Sequence, residues 1–225
     1  VRFDPPLEDD WLWRIGRTPL PPYIRREAGA ADSPEDRAAY QTVFARENLA
    51  VAAPTAGLHF TTELLGELSA RGVEIADLTL EVGPGTFKPV TARDSEEHRM
   101  DAERVALPLS TMDAVARAKR EDRRVVAVGT TVTRALEAWE RLEAKPSDDP
   151  ARFSTDLFIT PGFSFRVVDV LLTNFHLPRS TLLMLVSAFA GRERLLAAYE
   201  EAVRQRYLFY SFGDAMLIEG DAPRP

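Results

Sequence analysis

The sequence predicts an α/β protein, and three observations carry that prediction. Short apolar runs alternate with stretches of helical periodicity along most of the chain. Apolar residues make up 45% of the 225, enough for a sizeable core. No internal repeat or low-complexity segment breaks the alternation.

The elements follow in order. Val1 and Phe3 before Pro5-Pro6 read as the end of a strand, and Pro19-Leu20-Pro21-Pro22 as a stiff extended linker. Ser33-Pro34-Glu35-Asp36 supplies an N-cap, a proline at the first helical position and acids in the first turn. A helix is therefore expected from about Pro34 to Ala45, with Tyr40, Val43 and Phe44 on one face. Leu49 to Ala53 reads as a short strand, Leu58 to Ala70 as a helix ending near Gly72 with Leu64, Leu65 and Leu68 inward, and Val73 to Val82 as a strand. Further strands are expected at Glu103–Leu107, Arg124–Val128, Thr155–Ile159 and Val167–Thr173. Further helices are expected at Ser110–Lys119, Thr130–Leu142, Ser180–Phe189 and Glu193–Arg206, with a polar loop at Lys145–Pro150.

Composition narrows the function classes. A net charge of -7, from 28 Lys+Arg against 35 Asp+Glu, is unlike an ordinary basic nucleic-acid module. Residues 61–150 hold 18 of the 35 acids. With no cysteine, the chain has no disulfide, zinc–thiolate site, iron–sulfur cluster or Cys nucleophile. Its three histidines, His59, His98 and His176, lack metal-binding spacing, so no metal is expected. The start is polar, and the longest apolar run, Leu182 to Ala190, falls far short of the ~20 residues that span a bilayer. A cytoplasmic protein without membrane association is expected.

Five stretches put small or polar residues at strand ends, where α/β proteins place ligand sites. Ala53-Pro54-Thr55-Ala56-Gly57-Leu58-His59-Phe60 joins a strand to a helix, and Thr55, Gly57 and His59 are its candidates; a plain tight turn explains it equally well. Glu81-Val82-Gly83-Pro84-Gly85-Thr86-Phe87 is a rigid loop with exposed amides at Gly83, Gly85 and Thr86, and it is not a P-loop. Glu96 to Glu103 concentrates titratable groups around His98, which suits acid–base work as well as a solvated charged face. Val128-Gly129-Thr130-Thr131-Val132-Thr133-Arg134 is a strand, a glycine and a helix start. Thr130 and Thr131 there either cap the helix or bind a ligand, with Arg134 beside them. Leu172 to Thr181 sets Asn174, His176, Arg179 and Ser180 next to a helix start, which suits a carboxylate or phosphate as well as a simple cap.

These stretches, in this order, resemble the S-adenosylmethionine:tRNA ribosyltransferase-isomerase (QueA) family. The matching text includes Ala50-Val51-Ala52-Ala53-Pro54-Thr55-Ala56-Gly57-Leu58-His59-Phe60, Val82 to Phe87, Ala127 to Thr131 and Pro161-Gly162-Phe163. It continues through Leu172-Thr173-Asn174-Phe175-His176-Leu177-Pro178, Val186 to Gly191 and Tyr210-Ser211-Phe212-Gly213-Asp214-Ala215-Met216. The resemblance covers residues 18 to 218. It implies a mixed α/β main domain over residues 18–225, preceded in residues 1–17 by the tail of an inserted β-barrel domain that is otherwise absent from this chain.

The implied activity is transfer and isomerisation of the ribosyl group of S-adenosylmethionine onto preQ1 at the tRNA wobble position. The products are epoxyqueuosine-tRNA, adenine and methionine. S-adenosylmethionine is then a consumed substrate, and no cofactor, metal or prosthetic group is implied. The partners are preQ1-tRNA and S-adenosylmethionine, and a monomer is favoured. The chemistry needs a base beside the sulfonium-activated ribose carbon, for which His98, His59 and the carboxylates near them are candidates, and a carboxylate or an aromatic face for the sulfonium. Asp169 completes the catalytic set. The Arg179–Thr181 helix start suits the carboxylate of methionine.

The chain departs from the family pattern at two histidine positions. Glu81 stands where the strand before the glycine loop ends in His, and Asp101 replaces the second His of the family's Glu-His-x-Met-His-x-Glu. A carboxylate mostly accepts hydrogen bonds, whereas imidazole also donates. The alternative reading is therefore a paralogue that binds a nucleoside ligand with altered substrate or lost catalysis.

Overall fold

The structure is a computed structural model and describes residues 4, 6, 11, 14–21, 23–26, 33–46, 50–83 and 100–220. Helix α1 spans Pro34–Ala39, capped by Ser33, whose Oγ accepts from the Asp36 amide at 3.0 Å. It ends six residues earlier than the periodicity predicts. Tyr40 and Thr42 turn into the core instead, and Phe44 lies over Gly57, where a Cβ would meet the ring at 2.6 Å. Thr55–His59 forms a 3₁₀ turn, separated by extended Phe60 and the Thr61 cap from α2, Thr62–Ala70. One helix was expected here. No residue of α2 is buried and Leu64 is exposed, so its leucines do not form the expected inward face.

Strand β1 is only Thr79–Glu81, the end of the longer strand expected from Val73. It pairs antiparallel with β2, Glu103–Leu107, whose alternation turns Glu103, Val105 and Leu107 inward. β4, Ala151–Thr155, continues this sheet, with Glu103 opposite Thr155 and Leu107 opposite Ala151. The strand expected at Thr155–Ile159 is thus shifted one segment earlier. The period-2 signal sits in Ala151, Phe153 and Thr155, while Ile159 fills the core from outside any strand.

The second sheet has the order β3-β5-β6. β3, Val126–Val128, runs parallel to β5, Val170–Asn174, and β6, Ala215–Glu219, lies antiparallel to β5 on its other side. Sequence reading missed β6. Helix α3, Leu109–Arg120, precedes β3, and α4, Thr130–Arg141, follows it. Helices α5, Thr181–Ala190, and α6, Arg192–Arg204, meet at Gly191, whose φ of +80° suits glycine. The core joins Val105 and Leu107 of the first sheet, Ala127 and Leu171 of the second, Ala135 and Leu136 of α4, and Leu185, Val186 and Phe189 of α5. Burying a side chain of this size stabilises by about 1.5–3 kcal/mol. Among the described residues, no helix is long and apolar enough to cross a membrane.

One carboxylate fixes where β5 begins. Glu137 on α4 is fully buried and accepts from the amides of Arg166, Val167 and Val168 at 2.9–3.1 Å and from Arg141 at 2.6 Å. The amides of residues 166–168 face a side chain rather than a strand, so β5 starts at Val170 and not at Val167.

Candidate functional site

The carboxyl ends of parallel β3 and β5 lie side by side, the position that α/β sheets reserve for ligands. Three connections converge there: the 3₁₀ turn, the β3–α4 junction and the segment after β5.

Gly129 makes the β3–α4 turn. Its φ of +99° requires glycine, and its amide donates to Leu172 O at 2.8 Å, locking the turn to β5. Ala56 of the 3₁₀ turn approaches within 3.8 Å of where a Cβ would stand. Gly129 is also the N-cap, with no side-chain cap bond, so Thr130 and Thr131 do not cap α4 as expected. Thr130 is buried and Thr131 half-buried.

The central contact joins the 3₁₀ turn to β5. Asn174, 2% exposed, brings its Nδ2 to 3.2 Å from His59 Nε2, and the same nitrogen donates to Tyr210 O at 3.1 Å. Asn174 Oδ1 is buried without a hydrogen-bond partner. Such an acceptor costs about 1–3 kcal/mol if nothing donates to it. Thr55 is half-buried at the start of the turn, and Gly57 serves packing beneath Thr42 and Phe44.

His176 lies two residues beyond Asn174. Its Nε2 is 2.7 Å from Thr173 Oγ1, and its amide donates to Tyr199 Oη at 2.7 Å. Burial pushes the imidazole down to about 4 and the Tyr199 phenol up to about 12, so both are neutral at neutral pH. Burial likewise pushes Tyr40 up to about 12. The Ser180 hydroxyl is engaged as the α5 cap, accepting from Leu183 N at 3.2 Å and donating to Leu177 O at 2.8 Å. Arg179 is exposed in the left-handed region, with φ of +58°, before that cap.

Arg134 is buried and ion-paired with Glu103 at the start of β2, tying α4 to the first sheet. Its Nε and Nη1 have no hydrogen-bond partner. Gly83 is exposed with open space around it. Gly85, Thr86 and His98 lie outside the described residues.

Asp169 does not join this group. It precedes β5, five residues and therefore roughly 17 Å of strand from Asn174. Its carboxylate is held by Lys119 at 2.9 and 3.1 Å and by the Val125 amide at 2.8 Å. Asp169, expected in the catalytic set, thus lies apart from the other described candidates, and its oxygens pin β3 to β5 at the far end of the sheet. Glu81, where the family pattern has His, pairs with Arg104 across the β1–β2 ladder at 3.4 Å, an exposed pair of small energetic weight.

The loop after α6, part of the family likeness, holds no residue that sequence reading named as a site candidate. Tyr210 has a φ of +76°, rare for an aromatic residue, and its carbonyl accepts from both Asn174 and Gly213. Tyr23 Oη lies 2.6 Å from Ser211 Oγ, and its ring is 5.2 Å from that of Tyr210. The signal was present in Tyr210-Ser211-Phe212-Gly213-Asp214, where a glycine–aspartate pair follows aromatics, but no polar chemistry marked it.

A family model described as queuosine biosynthesis protein matches residues 1–218. An S-adenosylmethionine:tRNA ribosyltransferase-isomerase of Geobacter metallireducens is 57% identical over 210 residues, which is 93% of this chain and 60% of that protein. The protein of the same name from Xanthomonas euvesicatoria is 54% identical over 224 residues, 98% of this chain and 62% of that one. A crystal structure of S-adenosylmethionine tRNA ribosyltransferase from Thermotoga maritima superposes with a TM-score of 0.58 at 45% identity, covering 72% of this chain and 51% of the other. The chain spans about 60% of the length of the curated relatives it matches.

Proposed function

The chain belongs to the queuosine biosynthesis protein family, and from that premise we propose that it carries out the S-adenosylmethionine:tRNA ribosyltransferase-isomerase reaction. The ribosyl group of S-adenosylmethionine passes to preQ1 in the wobble position of tRNA and is isomerised to epoxyqueuosine, with adenine and methionine released. The observation that supports this most is a coincidence of place. Four of the stretches that carry the family likeness, Ala50–Phe60, Ala127–Thr131, Leu172–Pro178 and Tyr210–Met216, meet at the carboxyl ends of β3 and β5, around the partnerless buried oxygen of Asn174.

The residues divide the work by their chemistry. A sulfonium acidifies the adjacent ribose carbon, and His98 is the base proposed to take that proton. The exposed Arg179 guanidinium is proposed to meet the methionine carboxylate. His176 and Tyr199, both neutral, are joined by the His176 amide, which donates to Tyr199 Oη. S-adenosylmethionine is consumed as a substrate and no cofactor is invoked.

The test is incubation of the chain with S-adenosylmethionine and preQ1-modified tRNA, with adenine measured by chromatography. Adenine formed only when both are present supports the reading. Tight binding of S-adenosylmethionine without adenine release supports the second reading, a nucleoside-binding paralogue. That reading is favoured by Glu81 and Asp101, and reverting both to histidine then restores release.

A further inference from the structure

We infer that Asn174 is a positioning residue that holds His59 as its Nδ1–H tautomer, so that His59 serves the reaction as a hydrogen-bond donor and not as its base. The role in the reaction rests on the function proposed above; the tautomer does not.

The argument begins at Tyr210. A backbone carbonyl only accepts, so the Asn174 atom 3.1 Å from Tyr210 O must be the amide nitrogen. Rotating the amide would set Oδ1 against a carbonyl that already accepts from Gly213 N at 3.2 Å, placing two acceptors face to face. The orientation of the carboxamide is thereby fixed from outside the site. The same nitrogen is 3.2 Å from His59 Nε2. An amide NH₂ has two hydrogens and no acceptor capacity. One hydrogen points to Tyr210 O and the other to His59, so Nε2 must offer its lone pair. The proton of a neutral ring then sits on Nδ1.

Two consequences follow for the reaction. The basic lone pair of His59 is occupied by Asn174, and protonating it would bring two N–H groups together. What His59 presents is Nδ1–H, a donor suited to an oxygen or ring nitrogen of the substrate on which negative charge develops. The task of base falls to a group other than His59.

The tautomer is read directly by long-range ¹H–¹⁵N correlation NMR of the chain labelled in histidine nitrogen. With only His59, His98 and His176 in the chain, His98→Gln and His176→Gln variants assign the spectrum. The expected result near pH 7.5 is an Nδ1–H pattern for His59 that changes to the Nε2–H form, the one neutral imidazole prefers in water, in Asn174→Ala. An Nε2–H or doubly protonated His59 in the unmodified chain overturns the inference. If Asn174→Ala does not fold, the unmodified spectrum alone decides.

The functional arm uses two substitutions at His59. Asn places an amide N–H close to where Nδ1–H stood but offers no base. His59→Asn is expected to keep adenine release within about tenfold of the unmodified chain, and His59→Ala to lose about 100-fold, the usual effect of removing one donor to a developing charge. Equal losses of that size in both variants, as for a missing base, overturn the donor role. Absence of adenine release from the unmodified chain counts against the function proposed above, and the NMR result then still settles the tautomer.

Discussion

The two ends of β5 handle buried polar groups in opposite ways. At its amino end every strong group has partners. Glu137 takes three amides and an arginine, and Asp169 takes Lys119 and the Val125 amide. At its carboxyl end, five residues on, the partners run out. Asn174 Oδ1 is buried and alone, and at the neighbouring β3–α4 end Arg134 keeps two N–H-bearing nitrogens without acceptors. Tyr210 also holds a backbone conformation that aromatic residues avoid. Satisfied polar groups specify a fold, whereas unsatisfied ones and local strain cluster where something else is to bind. One strand therefore separates a fully partnered end from one whose polar groups are left open.

The sharpest way to break that contrast is Glu137→Ala, which strands three amides and Arg141. It should lower the unfolding free energy by about 3–5 kcal/mol in a urea titration, and an unchanged midpoint would remove Glu137 as the organiser of the amino end. Acid attacks the other end. His176 titrates at about 4 when folded, against an ordinary 6.5, so between those values the unfolded chain binds the extra proton. Its contribution is complete above pH 6.5 and is lost as the pH falls toward 4, by no more than about 1.4 kcal/mol per pH unit. His176→Asn should flatten that part of the stability profile, and identical profiles would show the imidazole to be better solvated than its surroundings imply.

A backbone probe comes next. At Gly213 a Cβ would run into the carbonyl of Leu208 and the backbone of Phe209. Gly213→Ala should cost about 2 kcal/mol and, by shifting the Tyr210 carbonyl, loosen Asn174. Retention of both stability and the His59 NMR pattern would detach that turn from the site. The smallest effect belongs to Lys119→Ala at the fully partnered end. The pair with Asp169 is partly exposed, and its loss should cost about 0.5 kcal/mol with adenine release unaffected.

Much of this was legible in the sequence, in a pattern that physics explains. Capping and periodicity located α3, α4, α5 and α6 within two residues, because helices announce themselves locally. Strands did so less well. β4 hides its alternation behind Arg152 and Ser154, and β6 is five residues whose identity as a strand depends on pairing with β5. α1 stopped short because Gly57, far along the chain, offers Phe44 a seat. Among site residues, His59, Asn174 and the Gly129 turn were visible because their chemistry is unusual at strand ends. Tyr210 was not, since it acts through a carbonyl that every residue possesses. The partners of Asp169, Lys119 and the Val125 amide, lie far from it in sequence and only the fold reveals them.

The place of β6 in the chain also bears on how the protein comes into being. Residue by residue from the amino end, the synthesised chain can form the first sheet and the β3–β5 pair as soon as residue 174 has been made. It cannot close the second sheet, or supply the carbonyl that orients Asn174, until residues 210–219 have left the ribosome. For a chain elongating at about 5–20 residues per second, that is a delay of a few seconds during which one side of β5 has no strand partner. The nascent chain thus has the β3–β5 pair in place before it can orient Asn174.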